Sequence, residues 1–357
     1  MRILFFPVSC TPFHGKSLDE RPLGGTETAI IRLAEALATL GHDVTVATPL
    51  KVFPETQPRY VTIKDAQQLK SLDVVIGVRG IKSIHHSFDT KKLFFWTGDS
   101  WNNVHSYGIG DSRYVNRLDG LFLVSEWHAK TLCEASGFPL EKTFVLRNGI
   151  QLSSFAGSEA RQMKRLIYSS TPNRGLRHLP RLFLDLKKKH PDAELHVFSS
   201  TLLYAQWPPV EEEELIYKGI FEELAHLPGC YNHGSILQPL LAREFMRAAL
   251  WVYPTDYEET GCITAMEAQA GGCVAVTTDL AALKEIVGDA GLLIKPVAGT
   301  QQYHDQFVQA CDTLLSNDSL WERYSKIGLE RAKAFDWRCR ALELMDHLNQ
   351  QSFRHSN

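Results

Sequence analysis

Short apolar runs alternate along this chain with longer stretches of helical periodicity. Residues 2–8, RILFFPV, are apolar and end at a turn-prone segment, which predicts a buried strand. After PLGG, the apolar positions Ile30, Leu33, Ala34, Leu37 and Leu40 recur at helical spacing, and Gly41 predicts the stop. Residues 43–48, DVTVAT, then predict a second strand, so the chain opens on a strand–helix–strand unit with Gly24-Gly25 at its first turn. The pattern continues with VVIGV at 74–78, LFFW at 93–96, GLFLVS at 120–125, a helix from Glu126 and FVL at 144–146. Strands that alternate with helices predict a parallel, doubly wound sheet.

A second series follows the polar stretch 147–162, RNGIQLSSFAGSEARQ, which reads as an interdomain connection. Its strand candidates are RLIYSS at 165–170, LHVFSS at 195–200, LWVYP at 250–254, CVAVTT at 273–278 and GLLIKP at 291–296, with helices between them. Helices are expected at about 301–315, 318–334 and 336–350, with no strand after them. The expected fold class is therefore α/β, with two domains of similar size.

Length agrees with that division. The chain has 357 residues, and single cores usually split beyond roughly 250–300. It is 44% hydrophobic and 22% charged, with a net charge of −3, so nothing marks it as a general nucleic-acid binder. The run Lys187-Lys188-Lys189-His190 reads as a solvated helix end, or as an attraction to an anionic membrane surface. The seven cysteines include no CxxC pair and no metal-ligand spacing, which points to reduced thiols in a cytoplasm. The N-terminal apolar run is too short for a signal peptide, and no stretch is long enough to span a membrane.

Two segments suggest chemistry. In PLGGTET, a glycine pair opens a helix, and the free amides and positive end of a helix can hold an anion. The segment is not GxGxxG, so it does not point to a nicotinamide cofactor. The other is YPTDYEETGCITAMEAQAGG at 253–272, which sets carboxylates in a small, apolar stretch. Pro254 ends a strand, and a helix is expected to start near Gly261. Glu259, Thr260, Gly261, Cys262 and Ile263 then form a loop whose amides could take a phosphate. Glu259 and Glu267 could both face one ligand. Equally, Glu259 could cap the helix and Glu267 could be solvated. Glu258 adjoins Glu259, so both cannot face a ligand from one extended segment.

ETGCITAMEAQAGG resembles the Glu-x7-Glu signature of retaining glycosyltransferase family 4. GGTETAIIRLAEALATLGHDVTV, LVSEWHAKTL, VLRNGIQ and IYSSTPNRGL are similar to further segments of that family, in the same order, over nearly the whole chain. The resemblance implies a GT-B fold, with two Rossmann-like domains facing a cleft. Residues 1–155 would form the acceptor-side domain and 156–335 the donor domain, and 336–357 would form a helix crossing back to the first. It also implies that Glu267 holds the donor ribose, that Glu259 contacts the hexose, and that the amides of Gly261, Cys262 and Ile263 meet phosphate or sugar. Arg174 would neutralise the diphosphate, Gly24, Gly25 and Thr26 would approach it from the first domain, and Ile236 would line the base. The implied reaction is front-face glycosyl transfer with retention, in which no strong base is required and charge on the departing diphosphate is stabilised. No Asp-x-Asp occurs, so neither metal nor other cofactor is expected.

The sequence departs from the family pattern twice. Where members often carry a histidine after the fourth strand, FFWTGDSWNN has Gly98-Asp99, which makes Asp99 the local candidate for acceptor contact or catalysis, or else a residue that caps its own loop. The place of a second phosphate-binding cation falls on Tyr168–Ser170. Trp96, Trp101, Tyr107 and Tyr114 could stack on an acceptor or pack in the core. His105, His128, His178 and His233 read as structural. The expected partners are a nucleotide-sugar donor and a glycan, lipid-linked or small-molecule acceptor, with no nucleic acid and at most peripheral contact with the inner membrane face. A nucleotide-sugar epimerase and a non-catalytic binding protein on the same fold are the alternatives.

Overall fold

The computed structural model describes residues 1–202, 211–295 and 297–354, with side chains to 350. The chain forms two compact units, one of Met1–Gly149 with the segment from Asp336, the other of Ile150–Phe335. The strand expected over 291–296 is seen as Gly291–Ile294, and its Pro296 lies outside the described residues.

The first unit holds a seven-stranded parallel sheet. Its strands are β1 (Arg2–Pro7), β2 (Asp43–Thr48), β3 (Arg59–Thr62), β4 (Leu72–Val78), β5 (Thr90–Trp96), β6 (Gly120–Leu123) and β7 (Thr143–Val145), in the order β3-β2-β1-β4-β5-β6-β7. The central strands are buried on both faces, which is why they read as continuous apolar runs rather than alternating ones. β1 pairs with β2 through Ile3 and Val44 and with β4 through Ile3 and Val74, so the order reverses direction between β1 and β4. The helix Gly25–Thr39 covers one face with Ile30, Leu33, Ala34 and Leu37. The C-terminal helix Trp337–Arg354 packs on the same face. Trp337, Ala341, Leu344, Met345 and Leu348 join that core.

The second unit holds a six-stranded parallel sheet of β8 (Gln162–Ser169), β9 (Glu194–Phe198), β10 (Cys230–Asn232), β11 (Ala248–Tyr253), β12 (Val274–Thr278) and β13 (Gly291–Ile294), in the order β10-β9-β8-β11-β12-β13. Its reversal falls between β8 and β11. Three of its arginines hold the ends of elements together. Arg161 donates to the carbonyls of Phe245, Ala248 and Gly271, Arg331 donates to those of Glu285 and Ile286, and Arg165 pairs with Glu244. The basic run has local partners too: Lys187 donates to the Ala193 carbonyl, Lys188 pairs with Asp185, and Lys189 and His190 pair with Asp312. The run is thus tied into its own unit.

Open α/β sheets bind ligands beyond the carboxyl ends of their strands, at the point where the order reverses. Each unit has one such point, and the chemistry suggested by the sequence clusters at both.

Candidate active site

In the second unit, the loops after β8 and β11 meet at the reversal. Arg174 lies in the loop after β8, whose course is fixed by the Tyr168 hydroxyl donating to the carbonyls of Thr171 (3.0 Å) and Arg174 (3.3 Å). Gly175 presses against the loop after β11. It has φ +87°, and a Cβ there would stand 2.3 Å from the Pro254 carbonyl oxygen, so only glycine fits. That approach brings Arg174 to the acids. Its Nη1 lies 3.4 Å from Glu259 Oε1, and its guanidinium lies over the Tyr257 ring, 3.2 Å from the centroid. The Tyr253 hydroxyl donates to the same Glu259 oxygen at 2.7 Å. Tyr253 is fully buried and stacked between Tyr168 and Trp251, and burial beside Glu259 raises its pKa well above the usual range, so it stays a donor.

Glu259 therefore does not cap the next helix. That helix runs Ile263–Ala270 with Cys262 at its N-cap and no side-chain cap, two residues later than expected. Thr260 and Gly261 lead into it, half-buried. The Cys262 thiol is buried 3.2 Å from the Thr264 hydroxyl, and burial pushes its pKa up, which makes it an inert packing group. Ile263 is half-buried at the first helical position.

Glu267 is on the inner face of this helix and is only 7% exposed, so the solvated alternative fails. One carboxyl oxygen accepts from Gln238 Nε2 at 3.0 Å. Burial raises its pKa to about 7, and the Gln238 hydrogen bond opposes part of that rise. Gln238 follows the loop that carries half-buried Ile236, so the segment after β10 reaches the same carboxyl group. The place expected for a second cation holds Tyr168, Ser169 and Ser170, and the nearby Arg177 and His178 are both held by Asp256.

In the first unit, Gly24 is the N-cap of the helix that Gly25 and Thr26 open. Glu27 turns back beneath it: a Cβ on Gly24 would stand 2.6 Å from Glu27 Oε2. Glu27 is buried and accepts from the Thr11 amide at 2.8 Å. Asp99 lies after β5, with its amide donating to Thr97 Oγ1 and its carboxylate 3.3 Å from Arg79 Nε. His128 is buried in the helix that follows β6. Its Nε2 lies 2.9 Å from the Asp99 carbonyl, and burial pushes its pKa down to about 4. The aromatic group divides. Trp96 is core, edge-on to Phe5, and Tyr114 stacks on His85, whereas Trp101 and Tyr107 are exposed.

Tyr253, Tyr257, Gln238, Glu27 and Arg79 were not singled out in the sequence. Arg79 alone carried a visible signal, a charge placed directly after the apolar run VVIGV.

Two Rossmann-like α/β domains of this kind define the GT-B fold, and the chain has that fold. Residues 165–317 match the family model described as glycosyl transferases group 1. No curated protein matches the sequence. Among solved structures, sucrose-phosphate synthase from Thermosynechococcus elongatus is similar at TM-score 0.71 and 15% identity, over 99% of this chain and 100% of that one. Anabaena HepE, solved in complex with UDP and glucose, is similar at TM-score 0.69 and 13% identity, over 98% and 100%. WaaG, a glycosyltransferase involved in lipopolysaccharide biosynthesis, is similar at TM-score 0.66 and 14% identity, over 97% and 99%. Among the described residues, no helix is long and apolar enough to cross a membrane, and no group of three or more His, Cys, Asp or Glu could hold a metal ion.

Proposed function

We propose that this chain is a retaining glycosyltransferase that moves a hexose from a nucleotide-diphosphate sugar to a hydroxyl group, without a metal. The observation that carries the reading is the pair Glu259 and Glu267, eight positions apart, with one acid oriented by Arg174 and Tyr253 and the other buried against Gln238. The match of residues 165–317 to glycosyl transferases group 1 covers this arrangement, and the UDP and glucose complex of HepE supports a nucleotide-sugar donor.

Each group then has a task set by its chemistry. The Glu267 carboxyl group faces the ribose and accepts from its hydroxyls. Glu259, held by two donors on one oxygen, turns the other to a hexose hydroxyl. Arg174 offers a forked donor to the diphosphate, and the helix N-terminus at Cys262 and Ile263 adds a positive dipole end beside it. Leaving-group charge is stabilised by groups already in place when the bond breaks. Gly24, Gly25 and Thr26 present free amides at the start of a helix in the first unit, where an anion could be held. The acceptor is a glycan, lipid-linked or small-molecule hydroxyl, and Asp99 is the candidate for contact with it.

The test is turnover of a panel of nucleotide-diphosphate hexoses with EDTA present. Proton NMR of the product should show the anomeric configuration of the donor. Arg174→Ala and Glu267→Ala should each lower donor kcat/KM at least about tenfold, or about 1.4 kcal/mol. Unchanged kinetics in both variants would remove these residues from the site. Release of an altered sugar with no acceptor would mark an epimerase.

A further inference from the structure

Three elements of the first unit converge at the reversal between β1 and β4. The helix after β1 contributes Glu27, the end of β4 contributes Arg79, and the loop after β5 contributes Asp99. Arg79 bridges the acids, with Nε 3.3 Å from Asp99 Oδ2 and Nη1 3.8 Å from Glu27 Oε1. The two acids are 3% and 12% exposed and the arginine 25%, so two carboxyl groups share one guanidinium in a largely buried cluster. Neither Arg79 Nε nor Asp99 Oδ2 is in a formed hydrogen bond, so the pair is held by charge and packing. Arg79 has φ +51°, which lets it leave β4 sideways between the two acids.

His105 is half-buried and lies beside Gly80; burial and then Arg79 lower its pKa, and Asp99 opposes them. The loop from Asp99 folds back on itself, because Ser106 Oγ donates to the Asp99 carbonyl at 3.2 Å, and it carries the exposed rings of Trp101 and Tyr107. Carboxylates accept from neighbouring hydroxyls, a guanidinium donates to oxygens, and aromatic rings cover the apolar face of a sugar.

We propose that Arg79 is a positioning residue that holds the carboxylates of Glu27 and Asp99 at the strand ends of the first unit as acceptors for the hydroxyls of a neutral sugar. This deepens the reading above, on which it rests for the sugar's role as acceptor. Lysine cannot replace Arg79 in this task, because a single ammonium group lacks the fork that reaches both acids.

The probe is saturation-transfer NMR with glucose, galactose, mannose, N-acetylglucosamine and methyl α-glucoside, on wild type, Arg79→Lys and Asp99→Asn. At least one sugar should bind the wild type. Both variants should bind it at least about tenfold more weakly while melting as cooperatively as the wild type. A sugar bound equally well by folded Arg79→Lys would overturn the proposal, and so would a wild type that binds none of the five. Asp99→Asn keeps the test open if Arg79→Lys does not fold. Nucleotide binding, measured on the same samples without sugar, reports on the second unit alone, so failure of the donor reading would be visible separately.

Discussion

At the scale of the residue, Glu267 is the most consequential group. The folded chain holds its proton more tightly than the unfolded chain does, with the pKa raised from 4.5 to about 7. Stability from this group is therefore complete below about pH 4.5 and is lost as pH rises through about 7. Glu267→Gln keeps the shape and the Gln238 hydrogen bond and never ionises. It should melt close to the wild type at pH 4.5 and above it at pH 8, by on the order of 3 kcal/mol in stability. A difference that stays constant across that range would mean Glu267 carries no buried charge. The spacing of Glu259 and Glu267 was legible in the sequence, but the burial of Glu267 was not. Its helix reads ITAMEAQA, with three alanines in eight residues, so it shows little contrast between its faces. The partners of Arg174 were equally hidden, since Tyr253 and Tyr257 read there as ordinary strand and loop aromatics.

At the scale of the element, the decisive contact is between the loops after β8 and β11. Gly175→Ala would place a methyl group against the Pro254 carbonyl, in a backbone conformation that suits glycine. The variant should lose at least about 2 kcal/mol in urea denaturation, because neither loop can give way without moving its strand. It should also lose donor use, because Arg174 would leave Glu259. A stable and active Gly175→Ala would show that the two loops are not held this closely. The buried parallel strands were legible as apolar runs. β3 and β10 were not, since RYVT and CYN are short edge strands with partly exposed faces. The first residues of β5 were missed for a related reason: Thr90, Lys91 and Lys92 are polar or charged, so the apolar run begins only at Leu93.

At the scale of the whole molecule, the chain is two Rossmann-like units, and the last helix belongs to the first. Leu344 of that helix is fully buried in the core beneath β1 and β4. Leu344→Ala should cost about 2–5 kcal/mol on chemical denaturation and leave nucleotide binding by the remaining folded protein unchanged. A cost below about 1 kcal/mol would mean that the helix is only loosely seated. The alternation of strands and helices made the two sheets legible. The cluster of Glu27, Arg79 and Asp99 was not, because it depends on which strands become neighbours, and strand order is not written in any one segment.

The central claim is that the second unit holds a nucleotide-diphosphate through Glu267. The most direct measurement is a thermal-shift series with UDP, GDP, ADP, CDP and dTDP, without metal, on the wild type and Glu267→Ala. A nucleotide present at 100 times its dissociation constant should add about 2.7 kcal/mol of stability. The account predicts that one of the five raises the melting temperature of the wild type and leaves the variant unmoved. A wild type that none of them stabilises, or a variant stabilised as much as the wild type, would contradict it.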